Sequence, residues 1–523
     1  MSLCEETWQS LKFTNKDIES LYNHLSEIES PQTISELTKY LIEKKIESEK
    51  KLATQARKSE GPIYFPKDQY KKGQMLTFPH RDYQKGKVVE VRPGVNPDHP
   101  SLEVITVAFS AEEKIDFAGN LAEHTLNNYQ PRENSESAYD ATWVLTHFSK
   151  SLSENLFALV KDNEDLTNIG GSYFPRALLV DIGIGYLNLA EAVLEMSEGG
   201  PLETNDLIKQ IELPTDTNTK LTEFSMNYAL QEDSRFDEVG PAGKTLWFLK
   251  DLEPDQVQNT PMTLRYTGKS VDLPETLKGF LNLGSDFCDE LEPGDPCEAV
   301  DGVTISLSYP HWRAGTLPLT SKLQKLFPTA FETPRIKFSF KDGNSGELFN
   351  GWVVRPARYI FGLNDWYAAE GFIPGSKVHL SRGEQPGEVI VRADKKHNSK
   401  EWIRTFLVGT DGNYVFALLK QVVTCSFDER MAIMIPDGKA VDAIWEKYAK
   451  TKPQLEKLLQ IMMRELGKLN PQGHIHAQEL YATLNVVKRC PPSPIIELLF
   501  NSPWAIHMGD LYFRLDESKI QGA

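Results

Sequence analysis

The apolar residues of this chain change period several times between its ends. Over Lys16–Ile28, the residues Ile18, Leu21, Tyr22, Leu25 and Ile28 fall on one helical face. From 64 to 127 the period drops to two. Helical spacing returns in Leu187–Ser197, Thr204–Ile211 and Thr219–Gln231, and again in Gln454–Leu469. A helix buries a stripe at a period of about 3.6 and a strand buries one face at a period of two. A chain written this way cannot be one bundle or one sandwich. Its 523 residues are 40% apolar and 25% charged, enough for several separate cores. The expected fold class is α+β and multidomain, with helical units alternating with small β-barrels.

The same composition excludes a disordered, collagen-like or disulfide-framework protein. The most apolar window, Ala177 to Leu194, contains Asp181, Asn188 and Glu191, short of the roughly 18 apolar residues a span requires. The opening residues have neither a basic flank nor an apolar core, so no secretion signal is expected. Five scattered cysteines (Cys4, Cys288, Cys297, Cys425, Cys490) suit free thiols in a reducing, cytoplasmic setting.

At the N-terminus, Pro31 ends the first helix. Thr33 and Glu36 form a capping box that opens a second helix through about Lys44. A third, Ile46–Lys58, carries Lys50, Lys51, Arg57 and Lys58 and stops at Gly61-Pro62. These three helices resemble a winged-helix or helix-turn-helix unit. Strands are expected over Lys85–Gly94 and Leu102–Phe109, whose Lys-Gly-x-Val-Val opening resembles a small SH3-like or KOW-type barrel. Near the C-terminus come Ala477–Leu484, a helix to Asn501 with Ser493 as cap and Pro494 at its first turn, and a hairpin around Gly509-Asp510. Lys488 and Arg489 precede that helix, making another winged-helix candidate. The expected boundaries are a helical unit over 1–62, a small barrel over 63–130 and an acidic stretch ending in a helical unit over 131–252. A linker with strands over 253–312, a second barrel over 313–400, a hairpin region over 401–450 and a winged helix over 451–523 follow.

Charge is segregated. The whole chain is −17, but residues 131–300 hold 12 Lys+Arg against 31 Asp+Glu. Residues 35–95 and 313–400 each hold 14 against 8, and 401–523 balance at 14 against 14. Phosphate attraction depends on the local field, screened over about 8–10 Å, so the net acidity does not exclude nucleic acid.

Residues 187–252 run helix, helix, helix, hairpin, with Leu221, Phe224, Tyr228 and Ala229 as the buried stripe of the third helix. With the strand Arg235–Val239 and the turn Gly240–Gly243, they resemble the HARE-HTH winged-helix family, associated with chromatin factors, restriction enzymes and a bacterial RNA polymerase subunit. The third helix is expected to expose Glu223, Asn227, Gln231, Glu232 and Asp233, which phosphates would repel. This copy therefore reads as a protein-contact module.

Residues 316–392 resemble the B3-type pseudobarrel, a DNA-binding fold of plant transcription factors and restriction-enzyme recognition domains. The resemblance rests on Leu317 to Ser321, Phe327-Pro328, Asp342 to Gly346, Trp352, Leu363 to Trp366, and Ile373 to Gly375-Ser376. Ser376 departs from the family's usual Asp, at a turn. The resemblance implies two arms that clamp the major groove. The first would offer Ser321, Lys322, Gln324 and Lys325, and the second Arg355 and Arg358 around Pro356. Arg335 and Lys337 would add contacts to the DNA backbone. Arginine can hold guanine bidentately, whereas lysine mainly neutralises phosphate.

Catalytic motifs are wanting. Gly183-x-Gly185 lacks a third glycine, and His474, His476, Cys490 and His507 lack zinc-site spacing. Asp394-Lys395-Lys396 supplies half of a nuclease motif without its upstream Pro-Asp. The expectation is a non-enzymatic, transcription- or nucleoid-associated protein without cofactor or metal. It would bind double-stranded DNA through the B3-like barrel and proteins through 131–300, with no membrane association. The rivals are a protein-interaction scaffold and the recognition subunit of a restriction or defence system.

Overall fold

In the computed structural model the N-terminal helices belong to a unit that is interrupted and later completed. Helices α1 (Glu5–Gln9) and α2 (Asn15–Ile28) lead to a two-residue strand, β1 (Gln32–Thr33), and to α3 (Ile34–Ser59). Where the sequence predicts two helices meeting near Lys45, the structure has one. Leu37, Leu41, Ile42 and Ile46 continue a single buried stripe, and no breaker divides it. The Thr33–Glu36 pair caps it, the carboxylate accepting from the Thr33 N–H at 2.8 Å. Next comes a four-stranded meander, β2 (Met75–Phe78), β3 (Gln84–Pro93), β4 (Glu103–Ala108) and β5 (Lys114–Gly119). The chain then returns through α4 (Ala141–Val160) to the hairpin β6 (Leu166–Ile169) and β7 (Ser172–Pro175), and β7 pairs with β1. The meander is thus an insertion, and the expected divisions at 62 and 130 fall inside one unit, Met1–Leu179. The structure describes residues 5–59, 62–81, 84–96, 101–109, 113–128, 140–161, 163–214, 218–282, 287–292, 301–330, 333–385, 387–410 and 412–520. Cys4, Cys297 and residues 293–296 of the acidic linker lie outside them.

The second unit is Val180–Ala523. It begins with the same order uninterrupted: α5 (Ile184–Met196), β8 (Leu202–Glu203), α6 (Thr204–Gln210), α7 (Thr219–Glu232), β9 (Phe236–Glu238) and β10 (Leu246–Leu249). Asn227, expected on the exposed side of α7, is buried, and its Oδ1 accepts from Trp247 Nε1 at 2.9 Å and from the Thr204 hydroxyl.

After α8 (Asp255–Gln258) and α9 (Glu275–Asn282) comes a seven-stranded half-barrel. Its strands are β11 (Gly302–Ser306), β12 (Thr316–Pro318), β13 (Arg335–Asp342), β14 (Leu348–Val354), β15 (Tyr359–Phe361), β16 (Lys377–Arg382) and β17 (Glu388–Ala393), with α10 (Tyr309–Ala314) and α11 (Asn364–Glu370) between them. The order is β11-β16-β17-β13-β14-β15-β12, parallel only between β13 and β17. Leu317, Ile336, Phe340, Val353, Ile360 and Val389 fill its core. At the Gly375-Ser376 turn a Cβ on Gly375 would lie 2.5 Å from the Ala432 backbone, so only glycine fits there. Ser376 Oγ accepts the Ile373 N–H at 3.0 Å, a turn bond of the kind an aspartate makes.

A long hairpin, β18 (Lys395–Val408) and β19 (Tyr414–Cys425), is joined by β20 (Ile433–Met434) and followed by α12 (Gly438–Thr451). The helix–strand–helix–helix–hairpin order then appears a third time, as α13 (Leu455–Gly467), β21 (Ile475–His476), α14 (Ala477–Val487), α15 (Pro492–Asn501), β22 (Ala505–Gly509) and β23 (Tyr512–Leu515). In all three copies the last strand of the hairpin is central and pairs with the two-residue strand. Tyr173, Trp247 and Phe513 occupy the same register position, each buried. Ser493 does not cap the third helix as the sequence predicts. Its N–H and hydroxyl donate to the Glu292 carboxylate at 2.7 and 2.6 Å, and the helix starts at Pro492.

Several described residues of the expected linker are buried rather than solvated. Val257, Leu264, Leu273, Asp289, Glu290 and His311 are buried, and the two carboxylates meet Arg489 in the interior. Lys488 is also turned inward, its Nζ donating to Pro453 O at 2.8 Å.

Candidate nucleic-acid interface

Four strands of the half-barrel are in line at one end. Arg335 pairs with Val354, Val354 with Tyr359, and Tyr359 with Pro318. The segments that begin at Leu319 and at Arg355 both leave the sheet from this row, and the first returns to it through residues 333–334. They are stitched together at their bases: the Leu319 N–H donates to Arg358 O at 2.8 Å and the Arg355 N–H to Pro334 O at 3.0 Å. Arg355 Nη1 adds a bond to Thr333 O at 2.8 Å. Lys322, Gln324 and Lys325 are exposed here, and Ser321, Arg355 and Arg358 are half-buried.

Arg382 joins them, although sequence reasoning missed it. It ends β16, is exposed, and its Nη2 donates to Lys325 O at 2.8 Å. That bond, and no sequence spacing, links it to the first segment; its strand partner Val389 is level with Phe340, five residues along β13 from Arg335.

The second segment is a tight turn, with Pro356 after Arg355 and the Arg358 N–H bonded to Arg355 O at 3.2 Å. Arg358 has φ 56°, the left-handed region that costs a side-chain-bearing residue roughly 1 kcal/mol. Glycine would be the undemanding residue there, so this chain keeps an arginine against its backbone preference.

Arg335 and Lys337 are engaged elsewhere. They lie on the face of β13 that the α5–β10 helical unit covers. Arg335 Nη1 is 2.6 Å from Asp237 and 3.6 Å from Glu253, and its Nε donates to Val257 O at 3.2 Å. Lys337 Nζ donates to Gly200 O at 3.3 Å and stands 4.5 Å from the Phe248 ring centre. Burial lowers the Lys337 pKa. Val239, Phe248, Val257, Trp352, Val354 and Tyr359 form the apolar part of this contact. The acidic helical unit thus docks on two cations that the sequence assigns to DNA.

Burial, reinforced by the neighbouring Asp237 carboxylate, pushes Glu253 up to about 8. A carboxyl whose pKa is raised on folding holds its proton in the folded state. Stability therefore falls as pH rises from the ordinary glutamate range, about 4.3, through about 8. Glu253→Gln should flatten the pH profile of thermal unfolding across that window while retaining the fold, read by scanning melts at stepped pH.

The other chemistry suspected from sequence is also committed. Asp394 lies 2.5 Å from His379 Nε2 and 3.7 Å from Arg392. His476 caps α14, its Nδ1 accepting from the Gln478 N–H at 3.2 Å. Among the described residues no three His, Cys, Asp or Glu side chains are grouped so as to hold a metal ion. No described helix is long and apolar enough to cross a membrane. Compared with known proteins, the chain matches no family model, no curated protein and no solved structure.

Proposed function

We propose that this chain is a non-enzymatic, transcription- or nucleoid-associated protein that binds duplex DNA at the end of its half-barrel. In this reading the half-barrel is a B3-like pseudobarrel, the inserted meander an SH3-like barrel, and the three recurrent helical units winged helices. Lys322, Lys325 and Arg382 meet phosphates, Ser321 and Gln324 support them, and Arg355 and Arg358 approach base edges. The acidic helical unit serves the protein-contact role, docked through Arg335. The observation that carries the reading is the single row from which both segments leave the sheet, tied together at Leu319–Arg358. Two prongs from one rigid footing bind with little ordering cost. Fluorescence anisotropy of a labelled random duplex at two salt concentrations tests it. Saturable, salt-sensitive binding is expected, and no binding even at low salt would favour a protein-only scaffold.

Arg358 separates binding from stability. Arg358→Gly removes the left-handed backbone cost, so the variant should be as stable as the parent or up to about 1 kcal/mol more stable. Its duplex affinity should fall by about 1–3 kcal/mol if the guanidinium holds a base. Urea unfolding and anisotropy on one preparation read both signs. A drop in stability with unchanged affinity would make the arginine a packing residue.

A further inference from the structure

A cavity of about 470 Å³ lies between the β18–β19 hairpin and the C-terminal helical unit. Sites for small molecules span roughly 300–1,000 Å³. Arg404, 8% exposed, is its fixed wall. Its Nη1 donates to Arg430 O at 3.1 Å, and its Nη2 to Glu429 O and to the Glu479 carboxylate, each at 3.1 Å. Moving it would orphan two carbonyls and a carboxylate, so the 429–430 segment is held in place.

On that wall stand groups suited to a flat heterocycle. Trp402 is two residues before Arg404 on the same strand face, at the cavity rim, and 65% exposed. Across the opening, the Arg430 guanidinium stacks 5.9 Å from the Tyr512 ring centre, with its Nη2 3.4 Å from the hydroxyl. The Glu429 carboxylate and the His474 imidazole line the space between, and neither side chain has a hydrogen-bond partner among the described residues. An indole plate stacks on a base. A guanidinium donates to a ring carbonyl or imine nitrogen, a carboxylate accepts from an exocyclic amine, and an imidazole serves either way. Lys420, opposite Trp402 in the hairpin, holds its ammonium 5.3 Å from the indole centre. Stacking by a base is the stronger contact at an exposed ring, so it displaces the ammonium and leaves it free to meet a phosphate.

We propose that this cavity binds one unpaired nucleobase with its attached phosphate. The inference rests on the DNA-binding reading only for the source of the base. The test is calorimetric titration of the full chain with each of the four deoxynucleoside 5′-monophosphates, beside duplex anisotropy on the same sample. At least one monophosphate should bind saturably. Trp402→Ala should weaken it about tenfold or more, and Trp402→Phe should keep most of the affinity. Glu429→Gln should change the ranking among the four bases. Trp402 is largely solvent-exposed, so its removal leaves the core intact. Absence of saturation for all four monophosphates, or parent-like binding by Trp402→Ala, would overturn the proposal. Failure here with duplex binding intact sinks the cavity alone, and the reverse sinks only the duplex reading.

Discussion

Arg489→Met is expected to destabilise the protein by about 3–5 kcal/mol, the cost of removing one partner from a buried ion cluster. Arg489 is 1% exposed in its side chain, with Asp289 at 0% and Glu290 at 2%. Its Nη2 lies 2.6 Å from Asp289 Oδ1 and 2.8 Å from Glu290 Oε1, and its Nη1 reaches Asp289 Oδ2 at 2.8 Å. The Tyr481 hydroxyl donates to the same aspartate at 2.8 Å, and His311 Nε2 lies 2.9 Å from Glu290 Oε2. Methionine matches much of the volume, so the loss comes from two stranded carboxylates rather than from a void. Asp289→Asn with Glu290→Gln in the Arg489→Met background should therefore recover part of it, measured by urea unfolding. If the triple variant is no better than Arg489→Met, packing rather than charge is what the arginine supplies.

The same cluster sets a pH signature. Burial alone would raise the Glu290 carboxyl, but the charges of Arg489 and His311 outweigh burial and hold it well below the usual range. A carboxyl depressed on folding stabilises fully above its unfolded pKa, and that stabilisation is lost only as pH falls through its folded value. In Arg489→Met the main cation is gone, burial prevails, and the carboxyl gains by taking a proton. The deficit of the variant should accordingly narrow between neutral pH and about 4.

What was legible in the sequence follows from the range over which each signal acts. Helices α2, α5 and α13 write their burial at every third or fourth residue, and they fall where periodicity puts them. Helix α7 also lies where expected, but it buries Thr222, Ser225, Met226 and Asn227 besides Leu221 and Phe224, and leaves Tyr228 and Ala229 of the expected stripe half-buried. The completion of the N-terminal unit leaves no such mark. β1 is two residues long, and its partners Ser172 and Tyr173 lie beyond an inserted sheet. The acidic segment around Asp289 misleads for a different reason. Acid-rich, Pro-rich segments are ordinarily solvated, and Asp289 is buried only because Arg489, 200 residues away, meets it. The basic island at 313–400 is only partly a surface. Ser321, Lys322, Gln324, Lys325, Arg355 and Arg358 lie on two segments that leave the sheet from one row, while Arg335 pairs with Asp237 from the acidic block. Some of the charge segregation along the chain is thus neutralised within the fold.

Lys322→Glu, Lys325→Glu and Arg382→Glu combined are expected to lower duplex affinity by about 3 kcal/mol or more, roughly 100-fold. Each neutralised phosphate contributes about −0.9 to the slope of log affinity against log salt, so three lost contacts should flatten it by about 2.7. Stability should change little, because all three residues are exposed. The chain's net charge of −17 supplies a further check. At about 0.15 M salt the screening length is roughly 8 Å, and the acidic remainder of the protein is invisible to a bound duplex. At about 0.01 M it grows to roughly 30 Å, and the repulsion between the acidic block and DNA is felt. Parent affinity should therefore stop rising, or turn over, as salt is lowered towards that range. A uniformly basic binding face would show no such turn. Retention of parent-like affinity and slope by the triple variant would place any DNA contact away from this end of the half-barrel.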